Sequence, residues 1–88
     1  MKSYKFIISG KVQGVYYRKS IADNANRAKL SGYIKNLPDG KVEAVVTCHE
    51  KRVNDFITIL KSGSPTSKVT DIKQSSLGSL HTNGFEVR

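Results

Sequence analysis

The run Gly10-Lys11-Val12-Gln13-Gly14-Val15-Tyr16-Tyr17-Arg18 sets one arginine among glycines and an aliphatic pair. Arg18 offers a permanent charge and a planar fork that meets two phosphate oxygens at once, where a lysine is only a point charge. Glycine at 10 and 14 lets the backbone turn its amides inward without Cβ clashes. The run also ends close to an expected helix N-terminus, whose free N–H groups and positive dipole end favour an anion. Gly10, Lys11, Val12, Gln13, Gly14, Val15 and Tyr16, together with Arg18, are therefore candidate phosphate-binding residues. No Gly-Lys-Ser/Thr follows and the three-glycine dinucleotide fingerprint is missing, which excludes a Walker loop and a nucleotide-binding turn of that type. An ordinary strand-to-helix connection carrying a solvated arginine has the same local pattern, and at this level both readings stand.

A second stretch, Gly32-Tyr33-Ile34-Lys35-Asn36-Leu37-Pro38-Asp39-Gly40-Lys41-Val42-Glu43, sets Asn36 before a proline- and glycine-containing turn. On its own Asn36 is either a turn-introducing polar residue or part of a site. The two stretches together resemble the two signatures of the acylphosphatases: a glycine, a basic residue, Val-Gln-Gly-Val, a variable residue, an aromatic and Arg, then a Gly-aromatic-apolar-basic-Asn run, a turn and an acidic strand residue. Ile21, Ala25 and Leu30 between them also fit, as does the final Gly84-Phe85-Glu86-Val87-Arg88, so the resemblance covers nearly the whole chain. It departs at Tyr17, where Phe is common, and at Tyr33, where Trp is frequent; both keep the ring and leave Arg18 and Asn36 in place.

The resemblance implies hydrolysis of the carboxyl-phosphate bond of acyl phosphates by direct attack of water, without a phosphoenzyme, and a ferredoxin-like fold. It assigns catalysis to Arg18 and Asn36. The leaving carboxylate, of pKa about 4, needs no strong general acid, so the demand is charge stabilisation. That task suits Arg18 and the amides of the 10–16 loop. Asn36 cannot act as a base, but its amide can accept from and donate to a water and aim it. With no convincing base present, the proton is expected to pass to the substrate's own phosphate.

The elements that must position these groups follow from periodicity. Tyr4, Phe6 and Ile8 alternate with Lys5, Ile7 and Ser9, a strand over about 3–9. Ile21, Ala22, Ala25 and Ala28 recur at helical spacing, predicting a helix from about Arg18 to Leu30 with Ser20 and Asp23 offset as in a capping box. Ser31-Gly32 breaks it, and Tyr33 to Asn36 and Lys41 to His49 form a hairpin around Leu37-Pro38-Asp39-Gly40. In the return strand Val42, Ala44, Val46 and Cys48 share the face expected to meet the helices. A second helix over about 51–61 carries Val53, Phe56, Ile57 and Leu60 in one stripe and stops at Ser62-Gly63. A fourth strand is expected over Val69 to Gln74, a polar loop over Ser75 to Asn83, and a short strand at Phe85 and Val87. The order is that of a ferredoxin-like α+β βαββαβ sandwich, an antiparallel sheet with two helices on one face and the first and third strands central.

The chain's 88 residues make one small domain, expected to span 1–88. Lys and Arg number 15 against 7 Asp and Glu, a net charge of +8 that attracts anions. The charges are interleaved with apolar residues, which fits steering of a small phosphorylated substrate. No specific nucleic-acid partner is expected: ferredoxin-like sheets can bind RNA, but the aromatic-rich motif is missing. A non-catalytic phosphate- or nucleic-acid-binding module is the alternative reading. The one cysteine, Cys48, excludes an internal disulfide and suits a reducing compartment, so the expected location is the cytoplasm. No signal-peptide core or membrane-length segment is present. Two scattered histidines and no clustered carboxylates give no metal site, no cofactor is expected, and the working expectation is a monomer. Gln13 is expected to make a structural loop contact, Tyr17 and Tyr33 to pack, Cys48 to be a buried inert thiol, His49 and His81 to be exposed, and Lys11 and Lys35 to act as steering charges.

Overall fold

A computed structural model describes residues 1–88. Alternating Tyr4, Phe6 and Ile8 turn one face of β1 (Lys2–Lys11) inward. The remaining elements are α1 (Tyr17–Arg27), β2 (Ser31–Asn36), β3 (Val42–Cys48), a 3-10 turn (Glu50–Arg52), α2 (Val53–Ser62), β4 (Lys68–Gly78) and β5 (Phe85–Val87). The strands pair in the order β4-β1-β3-β2-β5. The first three pairings are antiparallel, but β5 lies parallel to β2, Val87 facing Ile34, so the expected antiparallel sheet is mixed at one edge. Three successive antiparallel pairings make β4 and β2 run in opposite directions, so β5, which reverses direction after β4, lies parallel to β2.

Ile21, Ala22 and Ala25 of α1 and Val53, Phe56 and Leu60 of α2 pack on the inward strand residues in one cluster. Phe56 sits at its centre, with ring centroids 5.4 Å from Phe6 and 5.6 Å from Phe85. These helices and the five strands make the expected ferredoxin-like α+β fold, with both helices on one face.

Three local expectations are corrected and one irregularity is explained. β4 runs on to Gly78, because Ser75 and Ser76 pair with Lys5 and Tyr4; its polar residues suit an exposed edge strand. Val69 and Ile72 break alternation because the register shifts between Ser9 and Gly10, leaving Thr70 as a bulge residue. Ser20 caps nothing: its amide donates to the Tyr16 carbonyl at 3.0 Å inside the helix, and Asp23 pairs with Lys19 at 3.1 Å. The helix also ends at Arg27, three residues short of Leu30.

The connection over 79–84 crosses the sheet face opposite the helices. Leu80 N–H donates to Ser3 Oγ at 2.9 Å, the Ser3 and Thr47 hydroxyls bond at 2.7 Å, and those of Ser31 and Thr82 at 2.8 Å. This crossing carries the chain from the β4 edge to the β5 edge.

Candidate active site

The loop after β1 is held from below. Val12 and Val15 are buried in the main cluster, and the buried Ser64 hydroxyl donates to the Val15 carbonyl at 2.6 Å. Gly14 (φ 70°) and Tyr16 (φ 59°) both adopt left-handed backbone, which curls the segment between the two anchors. Gly10 and Lys11 belong to β1, paired with Val69 and Lys68. Glycine at 10 is demanded by packing: at φ 127° a Cβ there would overlap the Lys68 carbonyl oxygen. The curled segment itself is therefore 12–16.

None of the chain's hydrogen bonds is donated by a backbone amide from Val12 through Lys19; the first in α1 comes from Ser20. The first turn of α1 holds no acidic residue and no side chain caps it. Eight consecutive N–H groups are thus unpaired around a helix start, an arrangement whose partial charges favour an anion.

Arg18 stands in that first turn, half-buried. Its Nη1 donates to the Arg88 carbonyl at 2.9 Å, and Arg88 N–H donates to the Ile34 carbonyl at 2.8 Å, tying α1 to β2 through the chain that follows β5. Arg18, Val12, Gly14, Tyr16, Lys19 and Val87 are among the residues lining an open cavity of about 340 Å³.

Asn36 ends β2, exposed, opposite Val42, which in turn faces Ile8 of β1. The loop and Asn36 accordingly occupy the same end of the sheet, although Asn36 does not line the cavity. Gln13 joins the two. Its Nε2 donates to the Leu37 carbonyl at 2.8 Å and the Lys41 carbonyl at 2.9 Å, across the turn that Leu37 N–H closes onto Lys41 O at 2.8 Å.

The residues expected to be structural are so. Tyr17 is buried, its hydroxyl donates to the Leu60 carbonyl at 2.7 Å, and burial pushes its phenol above the usual range. Tyr33 donates to Glu43 at 3.3 Å and lies 4.0 Å beneath the Arg88 guanidinium; desolvation, then the Glu43 charge, raises its pKa. Cys48 is buried, which raises its thiol pKa, and both histidines are exposed. Lys35 pairs with Glu43 at 3.5 Å, so part of its steering charge is offset. No three His, Cys, Asp or Glu side chains are grouped to hold a metal ion. Sequence reasoning missed Ser64, Val87 and Arg88, which reach the site only through tertiary pairing and carry no local signal.

Fold and site together define the class: an α+β sandwich whose first strand-to-helix loop leads with unpaired amides into an uncapped helix start. The acylphosphatase family model matches residues 4–87. An acylphosphatase of Bacillus subtilis is 41% identical over 80 residues, spanning 91% of this chain and 88% of its own. One of Methanocella arvoryzae is 39% identical over 88 residues, covering both chains fully. The crystal structure of an acylphosphatase from Bacillus subtilis superposes with a TM-score of 0.92 at 38% identity, over 100% of this chain and 99% of that one. The chain belongs to the acylphosphatase family. It is an enzyme of the hydrolase class whose substrates are acyl phosphates.

Proposed function

We propose that Arg18 and the amides of the loop hold the phosphoryl group of an acyl phosphate while Asn36 orients the attacking water. The run of unpaired amides from Val12 to Lys19, the stretch of chain that bears Arg18, is the observation that carries this reading. Amides and guanidinium match the equatorial oxygens, where charge accumulates in phosphoryl transfer. Water attacks phosphorus, the bond from phosphorus to the acyl oxygen breaks, and its electron pair leaves on the carboxylate. The water's proton goes to a phosphate oxygen, because the leaving group needs none.

Gly10 and Lys11 contribute from the strand end, Gly10 by allowing β4 to approach and Lys11 as an exposed charge. The groups that stabilise charge belong to the chain itself, which supports turnover independent of metal or cofactor. No helix is long and apolar enough to cross a membrane. The single unpaired cysteine supports a cytoplasmic setting. The Tyr33 ring, a candidate base-stacking surface, already lies under Arg88, which supports a small-molecule substrate over a specific nucleic acid. We take residues 1–88 as one catalytic unit acting as a monomer.

The test is hydrolysis of benzoyl phosphate with chelator in excess. Arg18→Ala, verified as folded, is expected to lower kcat/KM by about 10³-fold or more and to weaken inhibition by inorganic phosphate. Asn36→Ala is expected to lose kcat by about 10²-fold while keeping phosphate affinity. Loss of wild-type turnover on chelation, or full activity in either variant, would sink the assignment.

A further inference from the structure

The acyl half of the substrate has so far no place in the site. We propose that the cavity beside Arg18 is an acyl-group subsite, with the Tyr16 ring and Val87 as its apolar walls, selecting aromatic or extended apolar acyl phosphates over acetyl or carbamoyl phosphate. This rests on the reading that Arg18 and the loop amides hold the phosphoryl group.

Three observations converge. Only five large apolar side chains are exposed, Met1, Tyr16, Leu77, Leu80 and Val87, and two of them line this one cavity next to the guanidinium. Tyr16 is 81% exposed and Val87 48%, and they come from distant parts of the sequence, the loop and β5.

The second observation concerns adjacent tyrosines. Tyr17 is sunk in the core with its hydroxyl satisfied, whereas Tyr16 at φ 59° is held outward in a backbone conformation that side-chain-bearing residues rarely adopt. Lys29, also at φ 59°, is the one other side-chain-bearing residue in this conformation, and unlike Tyr16 it does not line the cavity. An outlier of this kind at a ligand site points to a contact that the surrounding structure maintains.

The third is the geometry of displacement. Nucleophile and leaving group lie on opposite sides of phosphorus. Asn36, on the hairpin, does not line the cavity, so the residue assigned to the water leaves the cavity free for the acyl group. Its volume of about 340 Å³ is that of a small-molecule pocket and accommodates a benzoyl-sized group.

The test compares kcat/KM for benzoyl phosphate and acetyl phosphate in the wild type, Tyr16→Ser and Val87→Thr. Both substrates present the same phosphoryl group, so any disturbance of the cradle cancels in the ratio. The wild type is expected to prefer benzoyl phosphate by about tenfold or more, the span open to an apolar pocket. Tyr16→Ser is expected to bring the ratio to within about twofold of unity, and Val87→Thr, which keeps the β-branched shape, to lower it about threefold. In parallel, direct binding of benzylphosphonate and methylphosphonate reads the same contrast without turnover. Equal efficiency on both substrates, or an unaltered ratio in both variants, overturns the subsite. A wild type that hydrolyses neither substrate yet prefers benzylphosphonate, with the preference lost in Tyr16→Ser, keeps the subsite and overturns the hydrolytic mechanism instead.

Discussion

Replacing Gln13 by alanine removes the joint between the anion loop and the hairpin that carries Asn36. Two hydrogen bonds go, 2.8 and 2.9 Å long, to the Leu37 and Lys41 carbonyls. At a net 0.5–1.5 kcal/mol each, the loss is about 2 kcal/mol. In a domain of this size 1 kcal/mol moves Tm by roughly 4–8 °C, so Tm falls by about 10 °C. The effect on catalysis is separate. Arg18 keeps its own tie, through the Arg88 carbonyl, so the phosphate-holding half stays assembled while the hairpin drifts. A displacement of about 1 Å costs about 10²-fold in rate, and it falls on kcat. Inorganic phosphate should still inhibit with nearly its original constant. Gln13→Glu is the stricter variant, since it places an acceptor against two acceptors and should be less stable than Gln13→Ala. Thermal unfolding with steady-state kinetics on benzoyl phosphate decides the matter. Wild-type Tm and kcat in Gln13→Ala, or a defect confined to phosphate affinity, would refute the reasoning.

Two further outcomes follow from the geometry. Gly10→Ala should destabilise by about 3 kcal/mol or more, because backbone strain at φ 127° adds to overlap with Lys68; Gly14→Ala, with open space around it, should cost about 1–2 kcal/mol, and denaturant midpoints will rank them. Burial raises the pKa of Tyr17 above its ordinary value of 10.0. Above about pH 10 the unfolded chain therefore releases a proton that the folded one keeps, and stability falls as pH rises, having been fully present below that value. Tyr33 and Cys48, also raised, act in the same direction. Tyr17→Phe should flatten this alkaline decline in a series of denaturation midpoints between pH 8 and 11, and an unchanged slope would count against the buried phenol as its source.

Much of the architecture was legible because burial and period agree. β1, β3 and α2 each put apolar residues on one face at the spacing of their element, and the Leu37 to Gly40 turn announces itself by composition. Legibility failed where a residue answers to a distant partner. β4 is too polar to look like a strand because it lies at an edge, and its bulge scrambles the alternation. Val45, on the face expected to be open, is fully buried although nothing in its neighbours' pattern separates it from Glu43 or Thr47. At the site, type and setting left Arg18 and Asn36 open, and only the resemblance of their two stretches to the family signatures singled them out. The two clamps that relate them, Gln13 to the hairpin and Arg88 to both Arg18 and Ile34, are long-range contacts that no local spacing encodes.

The crossing of 79–84 also sets a timetable. The hairpin of β2 and β3 closes over a few residues, whereas the bond from Arg18 to Arg88 spans 70. Loop-closure entropy and non-local pairing both delay such contacts. β5 pairs with β2 alone among the strands, at the end of the connection that leaves β4, so its docking is expected late. Until then the guanidinium lacks its anchor and Val87 has not reached the cavity. Hydrolysis is therefore expected to return only once this long-range contact has closed, so regain of activity after dilution from denaturant should coincide with docking of the final strand and the packing of Phe85 on Phe56.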